Sequence, residues 1–260
     1  MSRLVIKLPT RGRPQKFISI LDRYVNFCSG MRDVQFVISM DHDDPTMNNQ
    51  NMISLLSRMR NQLDNRLHFA YGSSKCKIEA CNANLDLVRK LNPDIIMLAS
   101  DDMLPIVSGY DDIICQTMGK HYPDTDGVLH FNDGFSGSDK LITLSILGRK
   151  YFERFGYIYH PEYKSVFSDD EFTQVARLLN KVIYIDRCII QHEWVGIPYI
   201  RAARGEIKPE ELQRDALHER NESTDMYAHD KEVFERRKAN NFGIQVQAEE
   251  QNHAIMATNS

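Results

Sequence analysis

Four short β-branched runs, LVIKLP (4–9), VQFVISMD (34–41), LHFAYG (67–72) and DIIMLASDD (94–102), recur along the first part of the chain, each passing into a polar cluster. Segments long enough for crossover helices separate them, which predicts a βαβαβαβ order. The runs are nearly continuous in apolar residues, the pattern of strands that helices cover on both faces of a parallel sheet. Between the third and fourth runs, Ile78, Cys81, Leu85 and Val88 fall at helical spacing, so 75–91 is expected to form one helix with one apolar side.

Past residue 104 the rhythm changes. GVLHFND (127–133) and LITLSILGR (141–149) flank a Gly/Ser/Asp loop and are expected to pair antiparallel. A helix at 169–179 and a strand over 181–192 should follow. From Arg201 the chain is dense in charges of both signs, and Pro209 followed by two glutamates reads as a helix start. We expect 205–240 to be helical and largely solvated, resting on the domain through Leu212, Leu217, Tyr227, Val233 and Phe234, with a frayed tail beyond Gly243.

At 260 residues, 42% of them hydrophobic and 26% charged, the chain is long enough for one large domain or a domain plus an appendage. A net charge of −4 gives no global basic field to attract nucleic acid or membrane. The five cysteines are scattered and form no Cys-x-x-Cys pair, which argues against a disulfide framework or structural zinc. The N-terminal apolar run is too short for a signal peptide, and no stretch approaches the roughly 18 apolar residues of a membrane span. The expectation is a cytoplasmic protein without membrane insertion.

Ligands of open parallel sheets bind at the carboxyl ends of strands. Here those ends read PTRGRP (9–14), MDHDDP (40–45), SDDM (100–103) and QHEW (191–194), which brings Thr10, Arg11, Asp41, Asp101, Asp102 and His192 toward one crevice. Two carboxylates with a histidine suit magnesium or manganese, and such an ion would favour the charged state of the adjacent aspartates. Arg11, Arg13, Lys75 and Lys77 can face phosphate oxygens. By residue type alone this is a site for a nucleoside diphosphate with a divalent cation.

In the order of its motifs the chain resembles GT-A fold glycosyltransferases, close to the large inverting family 2. LPTRGRP resembles the first-strand loop that holds the nucleoside, and VISMD the second strand whose last aspartate contacts the base. KIEACNANLDL (77–87) resembles the family's helix, with cysteine at the basic position of Ala80-Cys81-Asn82; IMLASDDM resembles the strand ending in a metal-binding Asp-x-Asp. FSDDEFTQVARLLNKVIYIDRCIIQH (167–192) resembles the Glu-Asp helix, the strand after it and the distal histidine. The match spans about 4–194.

The resemblance implies a mostly parallel Rossmann-like α/β sheet flanked by helices, a small antiparallel acceptor-side sheet and a C-terminal helical extension. It places a catalytic domain at 1–200, with a nucleotide-binding half (1–104) and an acceptor-binding half (105–200), then a charged extension (201–243) and a tail (244–260). It implies inverting transfer of a sugar from a nucleotide diphosphate sugar, with Mn2+ or Mg2+. Pro9, Thr10, Arg11, Asp41, Lys77, Asn82 and Asp101 would then bind nucleotide, and Asp102 and His192 the metal. Asp133 and Trp194 would meet the acceptor. Two departures bear on this: Ser100 stands at the first acid of Asp-x-Asp, leaving the metal to Asp102, and the Glu-Asp pair is Asp169-Asp170, so either is the base, with Asp169 favoured.

Plainer roles fit some of these residues. Asp101-Asp102 and Asp169-Asp170 also suit helix or turn caps, His192 a bonded core histidine, Lys75 and Lys77 a solvated helix start, and Trp194 a core anchor. A sugar-phosphate nucleotidyltransferase would share the architecture, but PTRGRP matches its glycine-rich loop poorly. A GT-A domain that binds nucleotide or a partner without turnover is the non-enzymatic alternative. The acceptor is left open among a polysaccharide, a lipid-linked sugar, a protein and a modified nucleic-acid base.

Overall fold

The computed structural model describes residues 2–134, 139–193, 217 and 223–245. Strands β1 (Arg3–Pro9), β2 (Asp33–Asp41), β3 (Leu67–Gly72) and β4 (Ile95–Leu98) lie parallel, as expected. With β6 (Val128–Phe131), β7 (Ile146–Gly148) and β8 (Val182–Ile185) they form one seven-stranded sheet in the order β3-β2-β1-β4-β7-β6-β8. A separate two-stranded antiparallel sheet joins β5 (Met103–Pro105) to β9 (Ile190–His192).

The continuous apolar character of β1 has a direct cause: side chains alternate between two faces, and both are covered. Leu4, Ile6 and Leu8 join the cluster under α1 (Pro14–Asn26) and α5 (Tyr110–His121). Val5 joins the opposite cluster, under α3 (Lys77–Asn82), α4 (Leu85–Lys90), α6 (Arg149–Phe155) and α7 (Ser168–Leu178). The remaining early helix, α2 (Gln50–Gln62), connects β2 to β3 and starts at Asn49, whose side chain accepts from the Met52 N–H. No helix among the described residues is long and apolar enough to cross a membrane.

Several boundaries differ from the sequence expectation for physical reasons. The 75–91 helix is two, because Asn84 adopts a left-handed φ of 58° between α3 and α4. Its predicted apolar side survives the break: Ile78, Cys81, Leu85 and Val88 all reach the same core cluster. The run 94–102 ends as a strand at Leu98, turns through Asp101 and Asp102, and leaves the main sheet as β5. The run 181–192 is likewise β8 and β9, each in a different sheet. β6 and β7 pair antiparallel as expected, yet β7 sits between β4 and β6 within the main sheet.

Of the C-terminal extension, α8 (Thr224–Ala239) is described, whereas Pro209, Leu212 and most of 201–222 lie outside the described residues, as does the tail from 246. Tyr227, Val233 and Phe234 do contact the domain, with Phe234 and Tyr227 against the Phe167 ring at 5.4 and 5.2 Å. As expected the helix is largely solvated, with only Asp230 and Val233 buried, but a few of its charged residues reach into the domain. Arg237 donates from Nε and Nη2 to the buried Glu171 carboxylate at 2.7 and 2.8 Å, and the Tyr163 hydroxyl adds a third bond at 2.8 Å.

Gly148, at the end of β7, shows how closely the sheet meets its connections. A Cβ there would lie 2.1 Å from the Thr125 carbonyl oxygen, a backbone atom that cannot swing away. Gly148→Ala is therefore expected to lower stability by about 3 kcal/mol, the upper range for overpacking, as read from urea unfolding.

Candidate active site

The carboxyl ends of β1, β2 and β4 open into a cleft of about 640 Å3. Its first wall is the loop after β1. Thr10 N–H donates to the Ser39 carbonyl at 3.0 Å, extending the β1–β2 ladder, and Gly12 turns the chain at a φ of 72°. The Gly12 N–H donates to the buried Asp44 carboxylate at 2.8 Å, while Asp44 also accepts from the Thr46 N–H and hydroxyl. One carboxylate thus ties the β1 and β2 loops together. Asp41 accepts from the Ser74 N–H at 2.8 Å and from Arg11 at 3.2 Å, and Arg11 also grips Asp43. The Thr10 hydroxyl, in the wall of the cleft, is buried with no partner among the described residues, which leaves it available to a ligand.

The adjacent aspartates after β4 part company. Asp101 turns to Arg13 at 3.0 Å and Lys16 at 3.6 Å, whereas Asp102 faces His192 Nε2 at 3.6 Å and accepts from the Ser100 hydroxyl. β5–β9 pairing creates this meeting: Met103 is in register with His192, and the Glu193 N–H donates to the Asp102 carbonyl at 2.7 Å. Burial alone would push the Asp102 carboxyl up, but His192 and the Ser100 hydroxyl outweigh it and hold the group well below the usual carboxylate range. A carboxylate held charged beside an imidazole is a fitting donor set for Mn2+ or Mg2+, with the other coordination positions left to phosphate and water. Among the described residues no group of three or more His, Cys, Asp or Glu side chains converges on such a position, so the set is a sparse one.

The opposite wall is the 165–170 segment, where Asp169 and Asp170 open α7, both half-buried. Asp169 accepts from the N–H of the next residue, Asp170, at 3.1 Å, and an acid in a first helical turn meets the favourable end of the helix dipole. Burial, and secondarily the charge of Asp169, raise the proton affinity of Asp170. Asp133, buried at the end of β6, completes this side; it accepts from the Thr143 hydroxyl at 3.1 Å and its carbonyl takes the His192 N–H.

Pro9, Thr10, Arg11, Asp41, Lys77, Asp102, His192, Asp133, Asp169 and Asp170 thus share one cleft. Two predicted residues stand behind it. Asn82 binds the 158–159 backbone, donating to the Tyr159 carbonyl at 2.6 Å and accepting from the Ile158 N–H at 3.0 Å, and Asp101 is held by its two cations. Trp194 lies outside the described residues. Sequence reasoning passed over Lys7, wholly buried beneath the cleft, whose ammonium donates to the Ala80 carbonyl at 2.9 Å and to the Ser39 hydroxyl at 3.2 Å. Burial lowers its pKa to about 8 against the opposing pull of Cys81 and Asp41. A lysine inside LVIKLP was the signal. Tyr159 and Tyr227, also in the lining, carried no comparable mark.

No family model matches the chain, and no curated protein does. Among solved structures, the mannosyltransferase PcManGT from Pyrobaculum calidifontis, in complex with GDP-Man and Mn2+, superposes with a TM-score of 0.57 at 12% identity, over 98% of this chain and 79% of that one. S. aureus TarS residues 1–349 in complex with UDP give 0.54 at 15% identity, over 98% and 78%. A longer S. aureus TarS structure gives 0.57 at 14% identity, and this chain spans about half of its length, 47%. At such identities the likeness is one of architecture, and the architecture is the GT-A fold.

Asp44→Ala would leave the Gly12 and Thr46 donors without their shared acceptor. A loss of about 2 kcal/mol is expected from the charge-assisted bonds, measurable by urea unfolding, with faster amide exchange at Gly12 and Thr46.

Proposed function

We propose that this protein is a glycosyltransferase that moves a sugar from a nucleoside diphosphate to an acceptor hydroxyl, with a divalent metal and with inversion at the anomeric carbon. The observation that carries the reading is the single cleft with a nucleoside wall, a carboxylate–imidazole pair and a carboxylate pair opposite. The structures of like fold hold GDP-Man with Mn2+ in one case and UDP in another, ligands of the chemistry this cleft fits.

In this reading the Thr10 hydroxyl, Arg11 and Asp41 hold the nucleoside, and Lys77 with Arg13 adds positive charge toward the diphosphate. Asp102 and His192 would hold Mn2+ or Mg2+, which when bound supplies neutralising charge to the leaving diphosphate. Asp133 orients the acceptor. The acceptor oxygen bonds to the anomeric carbon as the bond to diphosphate breaks, the electron pair leaves with the diphosphate, and the acceptor proton passes to the aspartate pair. Between those two we favour Asp170 as base, because its proton affinity is raised and Asp169 already serves the Asp170 N–H.

The first test is thermal unfolding with UDP, GDP, CDP, ADP and dTDP, each with and without Mn2+. One nucleotide should raise the melting temperature only with Mn2+, and lose that effect in Asp102→Ala; a ligand at 100 times its Kd adds about 2.7 kcal/mol. Nucleotide binding without any metal-dependent shift would instead make the chain a nucleotide-binding module.

A second test concerns the base. A carboxyl with a raised pKa works only when ionised, so turnover should fall as pH drops through that raised value. Asp170→Asn is expected to lower nucleotide-sugar turnover about 100-fold or more. Asp169→Asn removes the like charge that helps raise Asp170, so the acid limb should move to lower pH. An unmoved limb would place the base elsewhere.

A further inference from the structure

The charge-dense α8 places one carboxylate wholly inside the protein. Asp230 is 0% exposed, and its two oxygens accept from three successive backbone amides: Lys164 at 2.9 Å, Ser165 at 2.7 Å and Val166 at 2.9 Å. His229 Nδ1 lies 2.9 Å from the same carboxylate. Successive N–H groups aimed at one anion form a concave nest, and the bonds are charge-assisted. Here the anion is the protein's own side chain, delivered from a helix more than sixty positions further along the sequence.

The location of the nest gives it meaning. The next residue, Phe167, takes a left-handed φ of 61°, and α7 opens immediately after it with Asp169 and Asp170 in its first turn. Every residue from 165 to 170 lines the cleft. The same helix holds the far side of the pair too, since Arg237 binds Glu171, and its Phe234 ring stacks on Phe167. The Lys164 carbonyl accepts from the Ile78 N–H at 3.2 Å, which joins this segment to α3, the helix that presents Lys77.

We infer that Asp230 is a positioning residue of the transfer reaction: it fixes the 164–167 backbone and thereby the distance from which Asp169 and Asp170 reach the donor's anomeric carbon. This rests on the reading of those aspartates as the proton acceptor. Asp230 is 0% exposed, and the amides it binds belong to the acceptor-side wall. The nucleoside wall, built from the ends of β1 and β2, is held by Asp44 and the parallel ladder and does not depend on it.

The test uses the full chain as wild type, Asp230→Asn and, as control, Lys231→Ala, an exposed neighbour that pairs with Glu235. Three quantities are measured with Mn2+: hydrolysis of a panel of UDP-, GDP-, CDP-, ADP- and dTDP-linked hexoses at saturating donor, affinity for the matching nucleotide by calorimetry, and amide exchange. Asp230→Asn should lower turnover about 100-fold, the scale of a misplaced catalytic group, with nucleotide affinity within about twofold of wild type. Exchange at Ser165 and Val166 should accelerate while the β1 and β2 amides stay protected. Turnover within about twofold of wild type overturns the inference, and so does a parallel loss of turnover and affinity, which marks general unfolding. A wild type that neither hydrolyses any donor nor binds any nucleotide overturns the reading of the site and this inference with it.

Discussion

The parallel pairing of β1 with β2 on one side and β4 on the other is the constraint on which the rest of the structure depends. Its ladders run Arg3↔Asp33 to Pro9↔Ser39 and Leu4↔Ile95 to Lys7↔Leu98, so the three strands finish at the same edge of the sheet, each staggered by two residues. Because helices cover both faces, polar side chains gather at those ends, and Lys7 inside β1 is held by hydrogen bonds to Ser39 and Ala80. The wall built from the β1 and β2 loops, the Asp101-Asp102 turn and the buried Asp41 are consequences of one register. A slip by one residue would turn every side chain to the opposite face and dissolve the core and the cleft together.

Within that frame, the distribution of charge decides what the cleft can do. Asp101 and Asp102 are neighbours in sequence and would repel if they shared an environment. Backbone geometry sends one to Arg13 and Lys16 and the other to His192 and Ser100. The same separation holds around α7, where Glu171 is neutralised by Arg237 while Asp169 and Asp170 face the cleft. Glu171 is tied to a guanidinium and a hydroxyl, whereas Asp170 stands half-buried at the cleft with its proton affinity raised.

Much of the fold was legible in the residues. The four early strands stand where their β-branched runs lie, and Ile78, Cys81, Leu85 and Val88 share a core face as their spacing predicts. The breaks were not legible. Nothing local marks Leu98 as the last residue of β4 or separates β8 from β9, because each boundary is set by which sheet accepts the next residue. Most of the predicted site residues also converge, since strand ends carry them, while Asn82 has a backbone segment as its partner. Asp230 and Arg237 were invisible for a related reason: in a segment of mixed charge, a carboxylate bound for the interior looks like one bound for water.

By itself the sequence determined the class of fold and the end of the sheet at which polar chemistry gathers. Hydrophobic periodicity is a local property, and burial of both faces follows from it directly. Only the tertiary structure decided that His192 meets Asp102, since that contact needs two short strands to leave the main sheet and pair. It alone decided that Thr10 would keep a buried hydroxyl without a partner among the described residues. It alone brought α8 back to hold the 164–166 amides. Such contacts join positions far apart in the chain, and their free energy depends on burial and geometry that no short stretch of residues encodes.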